Sequence, residues 1–357
     1  MRISKKMKLG FCLLISMFLV SQLTAAQYFL ICTQKGLKIY SVSGKDWQAW
    51  DYITTLEEDS AVISAGVNSD GTLFYTRSYE GGTDVSSKPI INLYSVPKYG
   101  NMRAITTPTT TINEGTSFIS SAGFNPNDGT FYTCCLKGLK MFVKIYAVKD
   151  SKVEFLYKNK KFSPYSIMFN PADKTTLIGF FGPGIFIHRS VPNVRFLTDG
   201  MNIETLHSCD SEMSMLSSRG GFSPDGTVFF VCDDSGFKFF KVQNVLSTSD
   251  NNVCLGTIRN FKGRVNNGGF LDNEHFFVCS SLGVKIYQVP SCNTWEKDSI
   301  TETSFKEIKV LENSVPCSAA VLSPVYIDTQ DNIKELSTNS DKAKKTFSDA
   351  TIHIQAD

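Results

Sequence analysis

The chain has 357 residues, 42% of them apolar, and a formal net charge of +2. That length buries a core of one or two domains, and the near-balance of charge excludes a global bias toward nucleic acid or an acidic surface. Its 27 Phe and 13 Tyr, set among many Val and Ile, suit pleated, half-buried strands better than helices.

Residues 1–26 stand apart. A basic leader (MRISKKMK), an apolar run (LGFCLLISMFLV) and a small-residue exit (SQLTAA) follow the order of a secretory signal peptide, with cleavage expected between Ala26 and Gln27. The apolar run falls short of the roughly 20 residues a spanning helix needs. No later segment could span a bilayer, so the expectation is a secreted, extracellular protein with no membrane contact after cleavage. No Asn-x-Ser/Thr sequon occurs.

From Gln27 the chain repeats itself. It enters in mid-repeat with QYFLICTQKGLKIYSV, then gives AGVNSDGTLFYT from Ala65, AGFNPNDGTFYTCC from Ala122 and IMFNPADKTTLIG from Ile167. GGFSPDGTVFFVC from Gly220 and GGFLDNEHFFVCS from Gly268 follow, and a truncated AAVLSPVYI begins at Ala319. Each copy reads as a short apolar strand, a turn and an aromatic-rich strand. Pro presets φ in the turn, Asp or Asn caps it, and Gly takes positive φ. A third strand trails each pair, ending at Val42, Val96, Val148, Val191, Val242 and Val289, with spacings that suit one four-stranded unit each. The last copy supplies a first strand without partners, and the mature chain begins at a second strand. Joining them completes a unit. The expected fold is all-β, a single six-bladed β-propeller over 27–327, closed by pairing the C-terminal first strand with the N-terminal strands.

This grammar resembles the WD40-type β-propeller family over nearly the whole mature chain. FSPDGT matches a turn common in that family, and LKIYSV sits where the family carries its Trp-Asp strand end. No copy has Trp-Asp or the preceding Gly-His pair, and Asp234 alone stands where the family keeps its structural Asp, so the buried polar tetrad is not expected. Lactonase-like six-bladed propellers share similar strand grammar. Residues 328–357 turn polar and read as a flexible tail.

Nine of the ten cysteines follow the leader. Cys32, Cys134, Cys232 and Cys279 fall at the matching point of second strands and read as buried packers between blades, since sheets stack about 10 Å apart and a disulfide needs Cα atoms within about 7 Å. Cys292–Cys317 and Cys209–Cys254 are the disulfide candidates. Counting ten residues back from the central apolar residue of each first strand gives Glu57, Glu114, Asn159, Glu212, Asn260 and Glu312. These could form an oxygen-rich ring at the channel mouth that takes calcium, or could cap equivalent turns separately. No Ser-His-Asp or Cys-His set is legible around His188, His207, His275 and His353, so no catalytic residue is assigned. An enlarged connection (Ser78 to Lys88) and a lysine cluster (Lys137 to Lys161) are surface features that suit binding or solubility.

Two functions fit. One is a non-enzymatic secreted propeller that recognises a protein or extracellular-matrix ligand, with no cofactor. The other is a calcium-dependent lactonase- or esterase-type hydrolase whose acidic ring converges on the channel.

Overall fold

Period-two alternation places successive side chains on opposite faces and builds strands throughout. The structure, a computed structural model, describes residues 26–43, 47–79, 88–96, 102–115, 117–126, 128–138, 140–149, 152–159, 166–172, 176–181, 184–189, 204–209, 219–242, 254–259, 261–296 and 299–323. For 26, 43, 157, 159, 176–181, 184–189 and 204–209 it describes the backbone alone. The expected leader, its cleavage point, the polar tail and most of the enlarged connection lie outside the described side chains. Among the described residues no helix is long and apolar enough to cross a membrane.

β1 (Ala26–Thr33), β2 (Gly36–Ser43) and β3 (Trp50–Leu56) open the chain. β4 (Val62–Val67), β5 (Leu73–Tyr79), β6 (Pro89–Ser95) and β7 (Thr110–Asn113) form the next sheet. It is followed by β8 (Phe118–Phe124), β9 (Phe131–Lys137), β10 (Lys140–Lys149) and β11 (Lys152–Asn159). Then come β12 (Ser166–Phe169), β13 (Thr176–Phe181), β14 (Gly184–Arg189) and β15 (Glu204–Cys209). β16 (Arg219–Phe222), β17 (Val228–Asp233), β18 (Gly236–Lys241) and β19 (Cys254–Ile258) follow. The last full sheet is β20 (Val265–Asp272), β21 (His275–Ser280), β22 (Gly283–Gln288) and β23 (Lys306–Leu311). β24 (Cys317–Leu322) returns to β1, so the described strands make six four-stranded antiparallel sheets, I to VI, with sheet I ordered β24-β1-β2-β3. The β24–β1 register runs from Phe29↔Leu322 to Thr33↔Cys317. Tyr28 N donates to Ser323 Oγ at 2.8 Å, and Ser323 N donates back to the Tyr28 carbonyl at 2.7 Å.

The first strands lie beside one another in succession: β4 by β8, β8 by β12, β12 by β16, β16 by β20, β20 by β24, and β24 by β4. Side chains bridge these steps. Ser318 Oγ donates to the Val62 carbonyl (2.7 Å), Asn266 Nδ2 to the Cys317 carbonyl (2.8 Å) and Ser166 Oγ to Ser121 Oγ (3.2 Å).

The repeated turn works as its sequence implies. Asp70, Asp128 and Asp225 each accept the amide of the Thr two residues on, at 2.9, 2.9 and 3.0 Å, and Gly71, Gly129 and Gly226 hold φ between 70° and 76°. Burial alone would raise the Asp225 carboxyl, but the Ser223 hydroxyl and the Thr227 amide and hydroxyl outweigh it and hold the group below its usual range. This turn's contribution is therefore present above about pH 4 and is lost as pH falls through the folded-state value. Asp225→Asn should flatten the acid limb of a Tm–pH profile; an unchanged limb would contradict this.

A second regularity joins first and second strands. Gly66, Gly123, Gly221 and Gly269 stand opposite Tyr75, Tyr132, Phe230 and Phe277. A Cβ on any of them would come within 2.5–2.9 Å of that ring. Where the facing residue is Leu30 or Ile178, the first strand instead carries Val321 or Met168. The glycine is thus required by the ring that lies over it.

The cores sit between sheets. Phe230, Phe237, Phe239, Phe276 and Trp295 pack together between sheets V and VI, with Phe237 and Phe276 edge to face at 5.1 Å. Phe29 and Phe277 do the same between sheets I and VI, at 5.2 Å. Such pairs add about 0.5–1.5 kcal/mol beyond area burial. Cys32, Cys134, Cys232 and Cys279 are buried free thiols in second strands.

Candidate functional site

Three of the six ring positions are described in full, and each is engaged within the sheet it introduces. Glu57 precedes β4, and its Oε1 accepts from Tyr94 OH (2.7 Å), Asn92 Nδ2 (3.2 Å) and Thr76 Oγ1. Glu114 precedes β8; it accepts from Thr133 Oγ1 (3.0 Å), from Tyr146 OH and from the Lys144 ammonium. Glu312 precedes β24 and accepts from Lys38 Nζ and Tyr40 OH. The pattern is a turn carboxylate gripping Lys/Asn-x-Tyr on the third strand, where period two puts both donors on one face. Glu57 and Glu312 hold left-handed backbones (φ 55° and 53°), a conformation that costs an ordinary residue roughly 1–2 kcal/mol. Burial first, and the neighbouring carboxylate with it, pushes the Tyr40, Tyr94 and Tyr146 phenols above their ordinary range.

Glu212 and Asn260 lie outside the described residues, and the Asn159 side chain does too. In sheet VI, Lys285 turns to Glu307 of β23 instead (2.5 Å). Among the described residues no three His, Cys, Asp or Glu side chains gather as metal ligands would. Asp234 is mostly exposed and pairs with Arg264 at 3.0 Å, a surface contact rather than part of a buried network. His275 Nδ1 lies 2.9 Å from Asp272 Oδ1, and the His188, His207 and His353 side chains lie outside the described ones.

The Cys292–Cys317 disulfide is corrected: both thiols are free. Cys292 sits in the core between sheets V and VI and reaches the Asn273 carbonyl (3.2 Å). Cys317 belongs to the core shared by sheets I and VI and reaches Val315 O (3.2 Å). Cys254 is also a free thiol, and the Cys209 side chain is not described. Burial raises the Cys292 thiol, and raises the Cys232 and Cys317 thiols to about 12. Among the described cysteines Cys254 is the least buried, so native labelling should modify it first. Non-reducing peptide maps should lack a Cys292–Cys317 linkage, and recovering one would contradict this arrangement.

The first strands surround a cavity of about 250 Å³. The register sets one layer of its wall: Ala319, Ser64, Ser121, Ser166, Arg219 and Asn267 stand opposite Cys32, Arg77, Cys134, Phe180, Cys232 and Cys279, equivalent positions of the second strands. Bulges in β4, β8 and β20, just before Ser64, Ser121 and Asn267, re-aim the side chains there. Ser120 and Ser318 add hydroxyls. Arg77 reaches the same wall from β5, donating Nη1 to the Ile119 and Ser120 carbonyls (2.6 and 2.5 Å). Arg219 donates to the Asn266 carbonyl. Among the described lining residues there is no Asp or Glu. The cavity is therefore basic and rich in hydroxyls. The repeat held the signal for Arg77: aligning FLICT, FYTRS, FYTCC, FFVCD and FFVCS puts it where the others carry Cys.

No family model and no curated protein sequence matches the chain. Solved structures do. A putative 6-phosphogluconolactonase from Bacteroides fragilis matches at TM-score 0.53 and 12% identity, over 84% of this chain and 98% of that one. A chain of a nidogen/laminin complex matches at 0.54 and 10%, over 84% and 99%. TolB from Acinetobacter baumannii matches at 0.51 and 10%, over 91% and 74%. The chain is a β-propeller. At these identities the likeness is one of fold, and the propeller's chemistry has to be read from its own residues.

Proposed function

We propose that this propeller is a secreted, non-catalytic binding protein that takes a group of a protein or extracellular-matrix partner into its central cavity. The observation that carries the reading is the composition of that cavity: hydroxyls and two guanidinium groups, with no carboxylate on its described wall. The carboxylates that a calcium-dependent lactonase or esterase would need at the channel are engaged elsewhere, Glu57, Glu114 and Glu312 each within its own sheet. Secretion rests on the leader sequence. We take the six sheets as the blades of one closed ring, which the β24–β1 pairing and the succession of first strands support. The repeat grammar supports a WD40-like variant in which the turn carboxylate and the Lys/Asn-x-Tyr pair stand in for the family's polar tetrad. The fold neighbours include both a putative lactonase and a protein-complex component, so likeness does not choose between the readings.

The test is a panel of lactones and esters assayed with calcium and with chelator, alongside thermal melts in both. The binding reading expects no turnover and no calcium-dependent shift in Tm. Turnover that disappears in Glu114→Gln would overturn it in favour of the hydrolase.

A further inference from the structure

The second-strand position facing the cavity-wall layer is a small buried thiol in four sheets, Cys32, Cys134, Cys232 and Cys279, and an arginine in sheet II. Arg77 is only 9% exposed. Its Nη1 is satisfied by two carbonyls of sheet III, but its Nε is buried with no partner. A guanidinium carried into a protein interior without a counter-charge is costly, and no described carboxylate lines the cavity to offset it. Burial pulls the Arg77 pKa down, and the like charge of Arg219 adds to the effect. The second arginine lines the same cavity as the first. It stands in sheet V, three steps from sheet II in either direction around the succession of first strands, so the two approach the cavity from opposite sides. The Ser64 hydroxyl, buried without a partner, and the Ser121 hydroxyl, which accepts from Ser166, supply further donors on this lining.

Resting on the binding reading above, we infer that the central cavity is a receptor site for a tetrahedral oxyanion, a sulfate or phosphate group, held between Arg77 and Arg219. Two planar donor forks lining one cavity match an acceptor that presents oxygens in several directions; a carboxylate presents both of its oxygens to one side. The volume exceeds what the ion alone requires, so the group can arrive free or as a monoester on a small polar molecule.

The test is isothermal titration of the full mature chain with inorganic sulfate, inorganic phosphate, glucose 6-sulfate and glucose 6-phosphate, with acetate and glucose as controls. Wild type should bind the sulfate or phosphate ligands at least tenfold more tightly than either control. Arg77→Cys, which installs the residue used by four of the other sheets, and Arg219→Gln should each weaken binding at least tenfold. Tighter binding of the esters identifies an esterified group as the natural source, and tighter binding of the ions identifies a free anion; either supports the site. Should Arg77→Cys fail to fold by circular dichroism, Arg219→Gln, whose side chain is accessible, decides the matter. No binding by wild type, equal binding by the folded variants, or acetate matching sulfate would overturn the proposal and leave the binding reading standing. Release of inorganic phosphate or sulfate from the esters would instead overturn the binding reading while leaving the site.

Discussion

Glu114→Ala is expected to destabilise the propeller by about 3–5 kcal/mol, the range for removing one member of a buried charge pair. The Glu114 side chain is wholly buried, and its loss strands the Lys144 ammonium and the Tyr146 and Thr133 hydroxyls without their acceptor. A fall in Tm of about 5–8 °C follows from the usual scaling for a chain of this size. Glu114→Gln keeps the shape and one acceptor oxygen, so its cost should be about half. Both losses should be the same with calcium and with chelator, because the carboxylate acts on protein donors. Melts differing from wild type by less than about 0.5 kcal/mol, the scatter of ordinary surface changes, would contradict the clamp. A loss that appears only with calcium would move Glu114 into a metal site.

Gly269→Val should cost about 2–4 kcal/mol, near the upper end for overpacking, because the new Cβ would sit 2.7 Å from the Phe277 ring. The chain supplies its own remedy. Sheet I carries Val321 opposite Leu30 at this position, so Phe277→Leu should rescue Gly269→Val. The double variant is expected to be more stable than the sum of the single changes by at least about 1 kcal/mol, the size of coupling seen between residues in contact. Phe277 also meets Phe29 edge to face, so Phe277→Leu alone should be mildly destabilising. Denaturant melts of the four proteins measure the coupling. Simple additivity would show that the glycine answers to backbone conformation rather than to the ring.

The fold was legible because its determinants are local and repeated. Asp-Gly-Thr names its turn through a side-chain cap and a left-handed glycine, and both occur at Asp70, Asp128 and Asp225. The unpaired first strand at Ala319 and the unpaired second strand at Gln27 pointed to each other, and β24 pairs with β1. The site was harder to read. Counting back to Glu57, Glu114 and Glu312 found equivalent positions, but offset alone does not tell whether a side chain turns toward an axis or back into its own sheet. The deciding signal lay in the third strands, where Lys38 and Tyr40, Asn92 and Tyr94, and Lys144 and Tyr146 share a face. Sequence places Cys292 and Cys317 on either side of the expected seam, but a short 3-10 turn and a strand start direct them into different cores. Arg77 and Arg219 were invisible to a motif search. They carry no motif of their own, and it is register that brings residues from sheets II and V to one cavity.

The most direct measurement is a crystal structure of the mature protein grown with both calcium and sulfate at millimolar concentration. The account predicts a sulfate between Arg77 and Arg219 in the central cavity, and Glu57, Glu114 and Glu312 still bonded to their own third-strand lysine, asparagine and tyrosine donors. A calcium ion held at the channel mouth by those glutamates, with the arginine pair empty, would contradict it.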